Sequence, residues 1–103
     1  MTAKLKPIHP GEILREEFMK PLNLNPNKLA LDLHVYPPTV YDIVREKRDI
    51  SPLMALRLGR YFGTTPEFWL NLQSRYNLEV SRDKQQRIVE QQVRPLRRVL
   101  THA

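Results

Sequence analysis

The sequence predicts an all-α fold of five short helices packed as one bundle. Three observations predict it. Three amphipathic segments open with the same signal, a capping side chain followed by proline: Asn25-Pro26, Ser51-Pro52 and Thr65-Pro66. No stretch sustains the alternation of apolar and polar residues that marks a strand. Every link between the segments is short, which suits helices packed across one another in a single domain. The 103 residues are one domain's length, with room for an adequate core.

The cap–proline pair has a direct physical reading. A small polar side chain accepts a hydrogen bond from an orphan N–H of the first turn. Proline at the first helical position gives up an N–H that would have had no partner there. The first helix is expected from Pro10 to Met19. His9-Pro10 is a weaker form of the same signal, and Glu12 suits the positive end of the helix dipole. Ile13, Leu14 and Phe18 form its apolar face. Pro21 ends it, because the residue before a proline avoids the α region.

The second helix is expected from Pro26 to Leu33, burying Leu29, Ala30 and Leu33. The third is expected from Pro38 to Glu46, burying Val40, Ile43 and Val44. The fourth is expected from Pro52 to Phe62, with Ala55, Leu56, Leu58 and Phe62 inward and Gly63 as its stop. The fifth is expected from Pro66 to Tyr76, with Trp69, Leu72 and Tyr76 along one face. Trp69, Phe68 and Tyr76 read as a core or dimer-interface stripe rather than a base-stacking platform. Beyond Glu79 the character changes. Asp83 to Val93 can form a helix, but Gln85, Gln86, Gln91 and Gln92 make it mostly polar and Pro95 interrupts it. Residues 1–80 therefore read as the domain. Residues 81–103 read as a basic tail or extra helix, loosely attached or partly disordered.

Composition narrows the function. The chain has no cysteine, which excludes disulfides and thiolate metal sites and suits a reducing cytoplasm. No apolar run approaches the ~20 residues of a membrane helix, and Met1 to Pro10 lacks the apolar core of a secretory signal. The formal charge of +6 favours a polyanionic partner. The excess is uneven. Residues 82–103 carry Arg82, Lys84, Arg87, Arg94, Arg97 and Arg98 against Asp83 and Glu90, whereas residues 1–81 are nearly balanced.

The pattern of helices points more sharply than the charge. Residues 25–46 read as two short helices joined by a tight turn, with apolar residues on their facing sides, which is helix-turn-helix spacing. Ala30 is small where the helices cross, Val35 plugs the turn, and Val40 and Ile43 lock the second helix against the first. Pro37, Pro38, Thr39, Tyr41, Asp42 and Arg45 remain outward, suited to a major groove. Thr39 can meet a thymine methyl or a base acceptor, and Arg45 a guanine or a phosphate. Lys47, Arg48 and Lys28 are candidates for phosphate contacts that fix the register.

Other chemistry finds little support. His9, His34 and His102 share no metal-ligand spacing. His9 reads as a helix-entry residue. Glu16 and Glu17 are adjacent and diverge on a helix, so they read as a solvated face. Three glycines build no phosphate-cradling loop, and no nucleophile stands in a recognisable motif. The sequence therefore predicts no cofactor, no metal and no enzymatic activity.

The residues also carry a family likeness. His9-Pro10-Gly11-Glu12-Ile13-Leu14, then Glu16-Glu17-Phe18 and Pro21-Leu22, open the chain as HigA-type antitoxins open. The match continues through Leu29-Ala30, Val35, Ile43 and Lys47-Arg48. It is densest at Ala55-Leu56-Arg57-Leu58 and at Phe62-Gly63-Thr64-Thr65-Pro66-Glu67-Phe68-Trp69-Leu70-Asn71-Leu72-Gln73, with Tyr76 and Leu78 after. Over residues 8–80 the chain thus resembles the plasmid-maintenance antidote proteins of the Cro/C1-type helix-turn-helix superfamily. The resemblance implies a five-helix lambda-repressor-like fold, a homodimer, and a palindromic operator in the protein's own promoter. It also implies a HigB-type, mRNA-cleaving ribonuclease toxin as partner in a type II toxin–antitoxin module. It assigns no residues to the toxin contact.

Three departures alter the DNA-facing region. Asn25-Pro26 replace the family's usual Ser-Gln, keeping the cap and losing a backbone contact of the glutamine. His34 replaces the turn glycine, which asks a non-glycine residue to turn left-handed. Arg45-Glu46 replace Asn-Gly and add a negative charge. Two other readings remain at this point: a stand-alone helix-turn-helix regulator without a toxin, and a protein-interaction module with a decayed DNA surface.

Overall fold

The computed structural model describes residues 5–96. Its order is α1 (Pro10–Ile13) continuing into a π-helical turn (Leu14–Met19), then α2 (Pro26–Leu33), α3 (Pro37–Val44), α4 (Pro52–Phe62) and α5 (Pro66–Gln92). No strand occurs among the described residues. The three cap–proline signals all act as expected. The side chains of Asn25, Ser51 and Thr65 accept from the N–H groups of Lys28, Met54 and Phe68 at 2.8, 3.1 and 3.1 Å. His9 caps α1 in the same manner, its Nδ1 accepting from the Gly11 N–H at 2.8 Å.

The π-helical turn has a packing rationale. Leu14 and Met19 are both buried, although five residues apart. An α-helix would separate them by well over a quarter-turn, whereas i→i+5 bonding stacks them on one face. The chain does not stop at Pro21 for the expected reason. Lys20 keeps helical angles (φ −61°, ψ −48°), and Asn23 makes the reversal with φ 56°.

The core gathers Leu14, Leu29, Val40, Ile43, Leu58 and Trp69, all fully buried. Each such side chain contributes about 1.5–3 kcal/mol by leaving water. Phe18 stands 5.0 Å from both Phe62 and Trp69, centroid to centroid, so four aromatic rings with Phe68 join the first helix to α4 and α5. The Trp69 indole N–H donates to Thr64 Oγ1 at 2.8 Å. Trp69 is thus a core residue. Gln73 is the other buried anchor of α5, its Oε1 accepting from the Ile50 N–H at 2.7 Å.

Two expectations are corrected here. Leu56 does not face inward; it is 57% exposed, because α4 buries the face of Met54, Ala55, Leu58 and Gly59 instead. Helix five does not end at Tyr76. It runs unbroken to Gln92, since glutamine, lysine and arginine are good helix formers and no glycine or proline intervenes. Its residues from Ser81 on are all exposed. Arg97, Arg98 and His102 lie outside the described residues.

Candidate nucleic-acid interface

The helix-turn-helix is built by two left-handed residues. After α2, His34 adopts φ 59°, ψ 45°, and the Val35 N–H reaches back to the Ala30 carbonyl at 3.0 Å, a Schellman closure. After α3, Glu46 adopts φ 65°, and the Lys47 N–H reaches back to Asp42 at 2.8 Å. Both positions would suit glycine, and each side chain there carries strain of about 1 kcal/mol. Between them α3 buries Val40, Ile43 and Val44 against α2 and the core. Ala30 is fully buried at the crossing.

α3 begins at Pro37, one residue earlier than expected, and its regular part ends at Val44. Both prolines fit, because neither of the first two helical positions needs an N–H. That choice has an electrostatic effect. The Thr39 N–H is already bonded to Tyr36 at 2.9 Å, so the first three positions of α3 present no free backbone donor to an anion. Recognition by this end must come from side chains.

Those side chains sit as follows. Pro37 and Pro38 are exposed; Thr39, Tyr41 and Asp42 are half-buried; Arg45, Lys47 and Arg48 are exposed. Lys28 is exposed at the start of α2. The charges partly pair. Arg48 meets Asp42 at 3.6 Å and Lys28 meets Asp32 at 3.2 Å. Arg45 lies over the Tyr41 ring at 5.4 Å, a cation–π contact. Glu46 is not an unopposed negative charge: Arg15 meets it at 3.5 Å. The same Arg15 donates to the Val44 carbonyl, so one guanidinium fastens the end of α3 from the first helix. Hydrogen bonding to Glu16 leads the effects that raise the affinity of Arg15 for its proton. Arg45 and Lys47 are left with no carboxylate partner among the described residues.

The geometry thus leaves a solvent-facing α3 surface with uncompensated cations at its carboxyl end. Tyr36, 74% exposed just before α3, adds an aromatic side chain that sequence reasoning passed over. Its place before two prolines was the available signal. No group of three metal-ligating side chains occurs among the described residues, and no described helix is long and apolar enough to cross a membrane.

No family model matches the chain. It is 51% identical over 81 residues to virulence-associated protein I of Dichelobacter nodosus, covering 79% of this chain and 75% of that protein. It is 34% identical to the antitoxin HigA-1 of Vibrio cholerae, covering 82% and 79% of the two chains. The solved structure of the Pseudomonas aeruginosa antitoxin HigA with the higBA promoter superposes with a TM-score of 0.86 at 52% identity, covering 87% of this chain and 98% of that one. The chain belongs to the HigA family of antitoxins. Family membership and the five-helix fold both agree with the residues read above. In this HigA-family chain the cap at Asn25 is kept, and the left-handed turn is made by His34 without glycine.

Proposed function

We propose that this chain is a sequence-specific DNA-binding repressor and the antitoxin of a type II toxin–antitoxin module, autoregulating its own operon. As a homodimer it binds a palindromic operator, with the two copies of α3 about one DNA turn (~34 Å) apart. Its second partner is a HigB-type ribonuclease. The observation that carries this reading is the open outer surface of α3, where Arg45 and Lys47 are exposed and have no carboxylate partner among the described residues. The P. aeruginosa relative with promoter DNA, at 52% identity, supports it. The exposed α3 surface also weighs against a decayed DNA surface.

In this reading Pro38, Thr39, Tyr41 and Asp42 face the bases or shape the fit, and Arg45 contacts a guanine or a phosphate. Lys28, Lys47 and Arg48 hold phosphates. The test is binding to the DNA upstream of its own gene at two salt concentrations. Affinity falls steeply with salt as counterions are released. Arg45→Ala and Lys47→Ala each weaken binding, and Lys47→Ala lowers the salt slope by about one. Unchanged affinity in both variants refutes this DNA face. Co-purification of a small ribonuclease with the tagged chain tests the toxin.

A further inference from the structure

Tyr36 is the most exposed aromatic among the described residues. It belongs to no ring pair there, and its hydroxyl makes no hydrogen bond. The other exposed tyrosine differs: the Tyr61 hydroxyl donates to Asp32 at 2.6 Å. The Tyr36 backbone is nevertheless fixed. It stands extended at φ −66°, ψ 126°, the region to which a following proline restricts it. Its carbonyl accepts from the Thr39 N–H at 2.9 Å, and Val35 before it packs on the core. A tyrosine on such a mount gives up only the freedom of its two side-chain torsions when it meets a ligand.

The surroundings of Tyr36 are short of donors. A helix amino end ordinarily offers free N–H groups, and in a helix that meets DNA these can hold a phosphate. In α3, Pro37 and Pro38 have no N–H, and that of Thr39 is bonded to Tyr36. No lysine or arginine stands in the first turn, from Pro37 to Val40. Arg45, Lys47 and Arg48 follow the far end of the helix, roughly 12 Å away at 1.5 Å of rise per residue. Thr39 carries the other hydroxyl of this turn and is half-buried.

We propose that Tyr36 positions the amino end of α3 on DNA: its hydroxyl donates to a phosphate oxygen and takes the place of the N–H groups that Pro37 and Pro38 lack. The inference rests on the DNA-binding reading and adds to it a neutral contact at the end opposite the cations. A phosphate suits the position because an anionic acceptor strengthens the bond and the α3 dipole favours negative charge at this end.

Fluorescence anisotropy of the full chain on a labelled duplex, taken from the DNA upstream of its own gene, tests the proposal. Tyr36→Phe removes one oxygen from an exposed ring, so its thermal melt and oligomeric state stay those of the wild type. Its affinity falls about tenfold, the scale of a hydrogen bond to a charged group. The salt slope does not change, because a neutral hydroxyl releases no counterion, whereas Lys47→Ala lowers the slope by about one. Adding Pro38→Ala to Tyr36→Phe returns one N–H to the first turn and recovers about threefold of the loss. A Tyr36→Phe that binds as wild type overturns the proposal, even where Tyr36→Ala weakens binding, since the ring alone then makes the contact. A loss that comes with a lower salt slope or a changed oligomeric state overturns it too, as does a double variant no tighter than Tyr36→Phe. Where Lys47→Ala weakens binding and Tyr36→Phe does not, the DNA reading stands and the Tyr36 contact falls. A wild type that ignores this DNA removes both.

Discussion

A Cβ placed on Gly11 would lie 1.8 Å from the carbonyl oxygen of Ile43. The first turn of α1 therefore rests on the backbone of α3, with no side chain between them. Gly11→Ala puts a methyl group into another segment's backbone, where no rotamer change can relieve it. The variant is expected to lose about 3 kcal/mol of stability in urea unfolding. Because the strain falls on α3, its affinity for operator DNA drops as well. A loss below about 0.5 kcal/mol, the range of ordinary surface changes, would contradict this contact.

Arg15 and Glu46 make a paired prediction of opposite sign. Arg15→Met removes the charged hydrogen bond to Val44 and costs about 1.5 kcal/mol, loosening the end of α3 and weakening DNA binding. Glu46→Gly relieves a left-handed side chain, for a gain of about 1 kcal/mol, offset by at most a few tenths for an exposed ion pair. It also removes a negative charge beside Lys47 and Arg48, so DNA affinity rises. Thermal melts and fluorescence anisotropy read both. Two variants moving in the same direction would refute the assignment.

Gln73→Leu preserves volume in the core but leaves the buried Ile50 N–H without its acceptor. An orphaned buried donor costs about 2 kcal/mol, far more than the side-chain swap itself. Equilibrium unfolding measures the loss. A neutral Gln73→Leu would mean that the link from α5 to the start of α4 is dispensable.

His9 predicts a pH dependence. Burial pushes its imidazole below its ordinary value, and nearby Glu46 and Asp49 oppose that shift only in part. The unfolded chain therefore binds the proton more readily, so stability rises with pH across this titration. The contribution is fully present above about pH 6.5 and is lost as pH falls through the lower folded value. Protonation also removes the Nδ1 acceptor that caps α1. His9→Asn keeps a capping acceptor without titrating, so its melting temperature changes less between pH 7.5 and 5.5 than the wild type's. Equal changes would remove His9 as the source.

The elements were legible in the sequence where local chemistry decides them. Asn25, Ser51 and Thr65 act on their own first turns, and Leu29, Val40 and Ile43 are apolar on a plain helical period. Long-range choices were hidden. Met19 joins the core only because the first helix widens into a π turn, which depends on packing. Leu56 lies one turn before Arg60 on the exposed side of α4, a signal that counting its leucines as apolar passed over. The pairings of Arg15 with Val44 and Glu46 span about thirty residues and leave no local mark. Of the candidate DNA-facing residues, exposure was foreseeable at Arg45, Lys47 and Arg48, but the neutralisation of Asp42 by Arg48 was not.

Past Lys84, which lines a cleft with Lys6 and Pro7 of the N-terminal segment, every described residue of α5 is exposed and no described residue outside the helix is seen to pack on it. Two turns of helix are too short to persist alone in water, so this end must melt and re-form far more often than the bundle opens. Amide protons there exchange early, and a protease trims the rod back toward Lys84 while α1 to α4 stay folded.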